Sequence, residues 1–174
     1  VLEPPELRRR MEREVEELRL VYKLQKTNQN SNVFIPWAKF SKSNPYEYHA
    51  LIYHMLDAAA VSQILWNNCL SESFKSSISS SFGLSVLEMG KTISFWVGLH
   101  DIGKAGPEFQ KKNISHIKRL EHAGYSFPRT QFKVEGFHAT ATAIILRRIF
   151  ADNSTIPRKF RNGLAAVLGG HHGE

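Results

Sequence analysis

Apolar residues recur at intervals of three or four along most of this chain, which is the spacing of an amphipathic helix. In the stretch 6–26 a mixed-charge face lies opposite the apolar positions, which are Leu7, Met11, Val15, Leu18 and Tyr22. The same spacing predicts further helices over 46–68, 84–103, 108–112, 115–122, 138–150 and 157–168. No stretch alternates between apolar and polar residues as a half-buried strand does, so the predicted fold class is all-α.

Polar segments between these helices indicate the domain organisation. Residues 27–32 are polar and break the helical pattern, so we assign 1–30 to an extra N-terminal helix and linker and 31–174 to one domain. Serine dominates 71–85, which predicts a flexible connection, and 124–136 shows little periodicity and is predicted to be a loop. Because the first residue is Val, we expect the chain to be a piece of a longer polypeptide.

Composition excludes several classes of protein. No apolar run approaches the roughly 18 residues of a membrane span, and the charged N-terminus is unlike a secretory signal. The single cysteine, Cys69, cannot form an internal disulfide, and its neighbours Trp66 and Leu70 predict that it is buried. These features favour a cytoplasmic protein with no membrane partner.

The charge of the chain points to an anionic partner. There are 23 Lys and Arg against 16 Asp and Glu, a formal net charge of +7. Much of the excess is scattered through the half of the chain that follows residue 101. A basic surface attracts polyanions, so nucleic acid is a candidate partner.

Candidate chemistry centres on the run Leu99-His100-Asp101-Ile102-Gly103-Lys104. Other histidines at the faces or ends of predicted helices are His54, His138, His171 and His172. Converging helices can bring such side chains into one cleft. Imidazole nitrogen together with carboxylate oxygen suits first-row transition ions such as Mn, Fe, Ni or Zn, so the pattern predicts a metal site.

Asp101 is the natural bridge between two ions, because a carboxylate has two oxygens whereas a neutral histidine binds one ion through one nitrogen. Two ions a few ångströms apart can activate a water and stabilise both oxygens of an in-line phosphoryl displacement. Lys104 follows His100 and Asp101 by one helical turn, where it can hold a phosphate oxygen.

Other histidines have a simpler interpretation. A lone histidine in a helix is more often structural or at the surface than a ligand. We interpret His49, His116 and His122 in this way.

The residues around the candidate ligands resemble the HD nuclease domain of the CRISPR-associated nuclease-helicase of type I systems. The similar segments are 51–61, which contains His54, then 100–104 with Glu108-Phe109-Gln110 behind it, and Gly170-His171-His172-Gly173. Trp37-Ala38-Lys39 is similar to the opening of that domain, so the resemblance runs from about Ile35 to the end of the chain.

The resemblance implies an HD-domain helical bundle with a metal site between converging helices. The metal ligands that it implies are His54, His100, Asp101, His138, His171 and His172. His122 is a rival match for the third histidine, and we prefer His138 because a long apolar helix follows it. The family supplies one more aspartate downstream of the histidine pair, so we expect the domain 31–174 to be C-terminally incomplete and one ion to be incompletely held.

The implied function is metal-dependent hydrolysis of phosphodiester bonds in single-stranded DNA during CRISPR interference. Asp101 and Lys104 are the implied catalytic residues. Two divalent transition ions are implied as cofactors (Mn, Fe, Ni or Co, with Mg as an alternative), and the implied partners are single-stranded DNA, a helicase module and the CRISPR surveillance complex. Two other interpretations stay open: an HD phosphohydrolase acting on nucleotides, and a docking module that is catalytically incomplete.

Overall fold

The computed structural model describes residues 32–44, 46–127, 138–151 and 157–170. The predicted helix over 6–26 and the candidate ligands His171 and His172 lie outside the described residues. Contacts divide the described chain into two compact units, one formed by 56–98 and the other by 32–55 together with 99–170.

The second unit begins with a small β-hairpin, which the sequence pattern does not predict. A 3-10 helix at Asn32–Phe34 leads into strand β1 (Trp37–Phe40), which pairs antiparallel with strand β2 (Tyr48–Ala50). Helix α1 follows at once and spans Leu51–Asn68, so the predicted helix start at residue 46 is wrong. Strands of four and three residues are too short to show a clear alternation.

The first unit contains most of α1 and two further helices, α2 (Glu72–Phe82) and α3 (Val86–Gly98). The prediction of a flexible serine-rich connection over 71–85 is wrong, because α2 occupies most of it. The Ser71 hydroxyl caps this helix by accepting the backbone N–H of Phe74, and Gly83 ends it in the left-handed conformation at φ 65°. Local capping therefore outweighs the weak helix preference of serine.

The rest of the second unit is helical. The segment predicted as one helix over 84–103 divides in two, because α3 stops at Gly98 and a 3-10 helix, here called the His-Asp turn, spans Leu99–Ala105. The remaining helices agree with the predicted positions to within a residue or two: α4 (Pro107–Gln110), α5 (Ile114–His122), α6 (His138–Ala151) and α7 (Arg158–Gly169). The all-α assignment is therefore confirmed, with the hairpin as an addition.

The core of the second unit lies among the hairpin, the His-Asp turn and helices α4 to α7. Its buried apolar side chains include Trp37, Phe109, Leu120, Leu146 and Leu168. The Arg161 guanidinium, one of the basic groups of this half, donates to the carbonyls of Phe150 and Ala151 and so caps the end of α6.

Two expectations drawn from composition can be compared with the structure. Within the described residues, no helix has the length and apolar character needed to cross a membrane. Cys69 is exposed at the end of α1, so the prediction that it is buried is wrong. Its neighbour Trp66 is buried, which shows that helix orientation separates these two residues despite their closeness in sequence.

Candidate metal centre

Three elements of the second unit bring three histidines onto one carboxylate. His54 lies in the first turn of α1, and its Nε2 is 2.7 Å from Asp101 Oδ2. His100 precedes Asp101 in the His-Asp turn, and its Nε2 lies 3.1 Å from the same oxygen. His138 is the first residue of α6, and its Nε2 lies 3.1 Å from Asp101 Oδ1. Asp101 is thus the centre of the cluster.

Lys104 of the same turn also contacts Asp101. Its Nζ lies 2.6 Å from Asp101 Oδ2, and both residues are buried. Burial alone would raise the pKa of the Asp101 carboxyl, but hydrogen bonds from His100, His54 and Lys104 hold this pKa well below its usual range. Asp101 is therefore a charged carboxylate at neutral pH.

A threonine on α6 ties the His-Asp turn to the helix that carries His138. The Thr142 side chain is fully buried, and its hydroxyl accepts the backbone N–H of Gly103 at 2.9 Å. The same hydroxyl donates to the carbonyl of His100 at 3.1 Å. Thr142 lies four residues after His138, one helical turn along α6. Its hydroxyl therefore fixes the position of the His-Asp turn relative to the end of α6 that carries His138.

Gly103 makes this contact possible because it has no side chain. A Cβ atom at this position would lie 2.5 Å from the backbone nitrogen of Thr142 and 2.7 Å from its hydroxyl, and still closer to the carbonyl of His138. These neighbours are mostly backbone and cannot move aside without moving α6. The close approach therefore requires glycine at 103.

Gln110 anchors the other end of the turn. Its amide nitrogen donates to the carbonyls of Lys104 and Trp37, at 2.6 and 2.9 Å, and its amide oxygen accepts the backbone N–H of Trp37 at 3.1 Å. This buried amide fixes the backbone of Lys104 against β1. Lys104 is consequently held on both sides, at its backbone by Gln110 and at its ammonium by Asp101.

Two of the histidines interpreted as structural or surface residues, His116 and His122, make hydrogen bonds outside this cluster. His122 is exposed at the end of α5, where its Nδ1 lies 2.6 Å from the carbonyl of Lys118. His116 is buried, and its Nε2 donates to the carbonyl of Ile35 at 2.9 Å. The structure thus brings His138 to Asp101 and places His122 in another environment.

The donor set fits a transition metal ion. One ligand atom from each of His54, His100 and Asp101 lies within 4.8 Å of the others, which is close enough to surround one ion. His138 adds a third imidazole, and its ring packs edge-on against Phe109 at 5.4 Å. Nitrogen and carboxylate donors in this combination suit Mn, Fe, Co, Ni or Zn better than Ca.

Sequence reasoning identified the ionisable residues of the centre but missed Thr142 and assigned no role to Gln110. Thr142 has a weak signal in the sequence, since it lies four residues after a candidate ligand. Gln110 lies in a segment that carries the family resemblance, six residues after Lys104. Both act through backbone groups of distant segments, which a sequence pattern does not display.

Comparison with known proteins gives a consistent result. Residues 37–174 match the family model described as "Cas3, HD domain". The CRISPR-associated endonuclease/helicase Cas3 of Thermus thermophilus is 34% identical over 137 residues, which is 79% of this chain and 14% of that protein. The CRISPR-associated nuclease/helicase Cas3 of Streptococcus thermophilus is 28% identical over 153 residues, which is 79% of this chain and 16% of that protein.

A solved structure is similar as well. The crystal structure of T. fusca Cas3 superposes with a TM-score of 0.65 at 32% sequence identity, over 80% of this chain and 15% of that one. The chain therefore spans about one-seventh of the length of the relatives that it matches.

Proposed function

Because this chain belongs to the Cas3 HD-domain family, we propose that it is a metal-dependent nuclease that hydrolyses phosphodiester bonds of single-stranded DNA. The observation that carries the proposal is the convergence of His54, His100 and His138 on the two oxygens of Asp101. The relatives named above are nuclease/helicases of CRISPR systems. We extend that context to this chain, with a helicase module and the CRISPR surveillance complex as its partners and the cytoplasm as its location.

In the proposed site, His54, His100 and Asp101 would hold one divalent ion. Asp101 would also serve a second ion, whose other ligands would be His138 and, from the family resemblance, His171 and His172. Such ions lower the pKa of a bound water and stabilise negative charge on a phosphate. Mn, Fe, Ni and Co are the candidate ions, and Mg is an alternative.

Lys104 acts on the phosphate rather than on the ion. Its ammonium lies 2.6 Å from Asp101 Oδ2 and 5.5 Å from the centre of the Phe109 ring, which places its charge beside the carboxylate. From this position it neutralises charge that develops on a non-bridging phosphate oxygen as the bond to phosphorus breaks.

The basic surface of the second unit supports a polynucleotide substrate. The exposed cations on its later helices are Lys118, Arg119, Arg147, Arg148, Arg158 and Lys159. These side chains attract a phosphate backbone without reading its sequence. A small nucleotide would not need so wide a distribution of positive charge.

The proposal is tested by cleavage of a labelled single-stranded oligonucleotide in the presence of Mn²⁺. We expect His54→Ala and Asp101→Ala to abolish cleavage and Lys104→Ala to weaken it while the metal is retained. His122→Ala is the matched control, since it removes an exposed histidine of the same unit, and it should cleave at the wild-type rate. Wild-type cleavage by Asp101→Ala would reject the proposed centre.

A further inference from the structure

A shallow groove of about 340 Å³ lies along the β-hairpin beside the candidate metal centre. It is lined by Lys39, Phe40 and Ser41, at the end of β1, and by Glu47, Tyr48 and His49, at the start of β2. We call it the hairpin groove. None of these side chains is among the proposed metal ligands.

The pairing of the two strands determines which side chains share the groove face. Lys39 lies directly opposite His49, and the backbone N–H of Ser41 donates to the carbonyl of Glu47. Opposite residues share one face of an antiparallel pair, and the faces alternate along each strand. Lys39, Ser41, Glu47 and His49 therefore form one polar face.

Phe40 and Tyr48 also line the groove, and their rings pack on other aromatic side chains. The Phe40 ring packs edge-on against Trp37 at 4.8 Å, and the Tyr48 ring packs against His116 at 4.5 Å. The Tyr48 contact joins the hairpin to α5 of the same unit, and such a support orients a strand bound in the groove.

The polar face leads directly to the candidate centre. The His49 ring centroid is 6.2 Å from that of His54, and the two rings are nearly perpendicular. The only acidic group of the groove, Glu47, lies at its other end, where its carboxylate accepts the amide of Asn44 at 3.0 Å. The end of the groove nearest His54 thus presents an ammonium and an imidazole, which suits an anion.

We propose that Lys39 and His49 bind the DNA phosphate next to the scissile one, so that the strand runs from the metal centre along the hairpin groove. This inference rests on the proposed function and adds to it a path for the substrate. Lysine contributes a point charge and histidine a hydrogen bond, so the contact fixes position without selecting a base.

Binding of labelled oligothymidylate, measured by fluorescence anisotropy over a range of salt concentrations, tests the groove. Lys39→Gln should weaken binding roughly two- to fivefold. It should also reduce the slope of log K against log salt by about 0.7, the value for one phosphate contact of a single strand. Lys91→Gln, which removes an exposed lysine outside the groove, is the matched control and should change neither quantity.

Hydrolysis of two substrates separates strand binding from the chemistry of the centre. Bis(4-nitrophenyl) phosphate has no neighbouring phosphate, so Lys39→Gln and His49→Ala should raise KM for an oligonucleotide far more than for this diester. Equal losses on both substrates, or a salt slope of Lys39→Gln equal to the wild type, would overturn the groove proposal. A wild-type chain that has its metal ions bound and hydrolyses neither substrate would refute the proposed function, while the anisotropy result would still decide the groove.

Discussion

The contact between the His-Asp turn and α6 leaves no room at Gly103, and a single methyl group tests its importance. In Gly103→Ala the new Cβ would lie 2.5 Å from the Thr142 nitrogen and closer still to the His138 carbonyl. Overpacking of this kind costs about 1–3 kcal/mol. A shift of the turn would also break the bond from the Gly103 N–H to the Thr142 hydroxyl, worth about 1 kcal/mol.

We therefore expect Gly103→Ala to lower the free energy of unfolding by about 2–4 kcal/mol, the sum of these two contributions. Because the displaced backbone belongs to the turn that carries Asp101 and to the end of α6 that carries His138, Mn²⁺ affinity should fall by roughly ten- to a hundredfold. Urea denaturation gives the first quantity and isothermal titration calorimetry gives the second.

The matched control is Gly163→Ala in α7, where a new Cβ meets no atom within 4 Å. Alanine there should stabilise the protein by about 0.5–1 kcal/mol, because it has the higher helix propensity. If Gly103→Ala unfolded at the same urea concentration as the wild type and bound Mn²⁺ equally well, the close approach of the turn to α6 would not require glycine.

Two further substitutions test buried polar groups of the second unit. Thr142→Val keeps the shape of the side chain but removes the hydroxyl shared by Gly103 and His100, so it should cost about 1–3 kcal/mol and weaken Mn²⁺ binding. Thr142→Ser should restore most of the lost stability and most of the Mn²⁺ affinity, both measured by calorimetry. Equal stability and equal Mn²⁺ affinity of the Val and Ser variants would contradict a role for the hydroxyl. Burial holds the pKa of His116 below its usual value of 6.5, so stability should decline as the pH falls below about 6.5, because the unfolded chain takes up the proton first. His116→Gln should remove this part of the decline in urea denaturation between pH 5 and 7, whereas His122→Gln should not.

Helix positions were predictable wherever the apolar spacing was long and regular. α5, α6 and α7 lie within a residue or two of the predicted ranges. The errors fall where local and tertiary contacts override composition. Ser71 caps a helix in a serine-rich segment, and pairing with β1 draws 48–50 out of the predicted helix and into a strand.

The ionisable groups of the candidate site were predictable from the sequence, but the residues that position them were not. His54, His100, Asp101 and His138 could be selected because imidazole and carboxylate groups at helix ends are the donors of a metal site. The roles of Thr142 and Gln110 depend on backbone carbonyls 42 and 73 residues away along the chain. Such long-range hydrogen bonds exist only once the fold has formed, so no local sequence pattern predicts them.

Anomalous scattering from crystals of the chain grown with Mn²⁺ locates the ion at the proposed metal centre without reference to activity. We expect a peak at bonding distance from Asp101, with His54 and His100 as further ligands, and loss of that peak in Asp101→Asn. Peaks confined to other side chains, or an ordered Asp101 cluster without a peak at saturating Mn²⁺, would contradict the proposed centre.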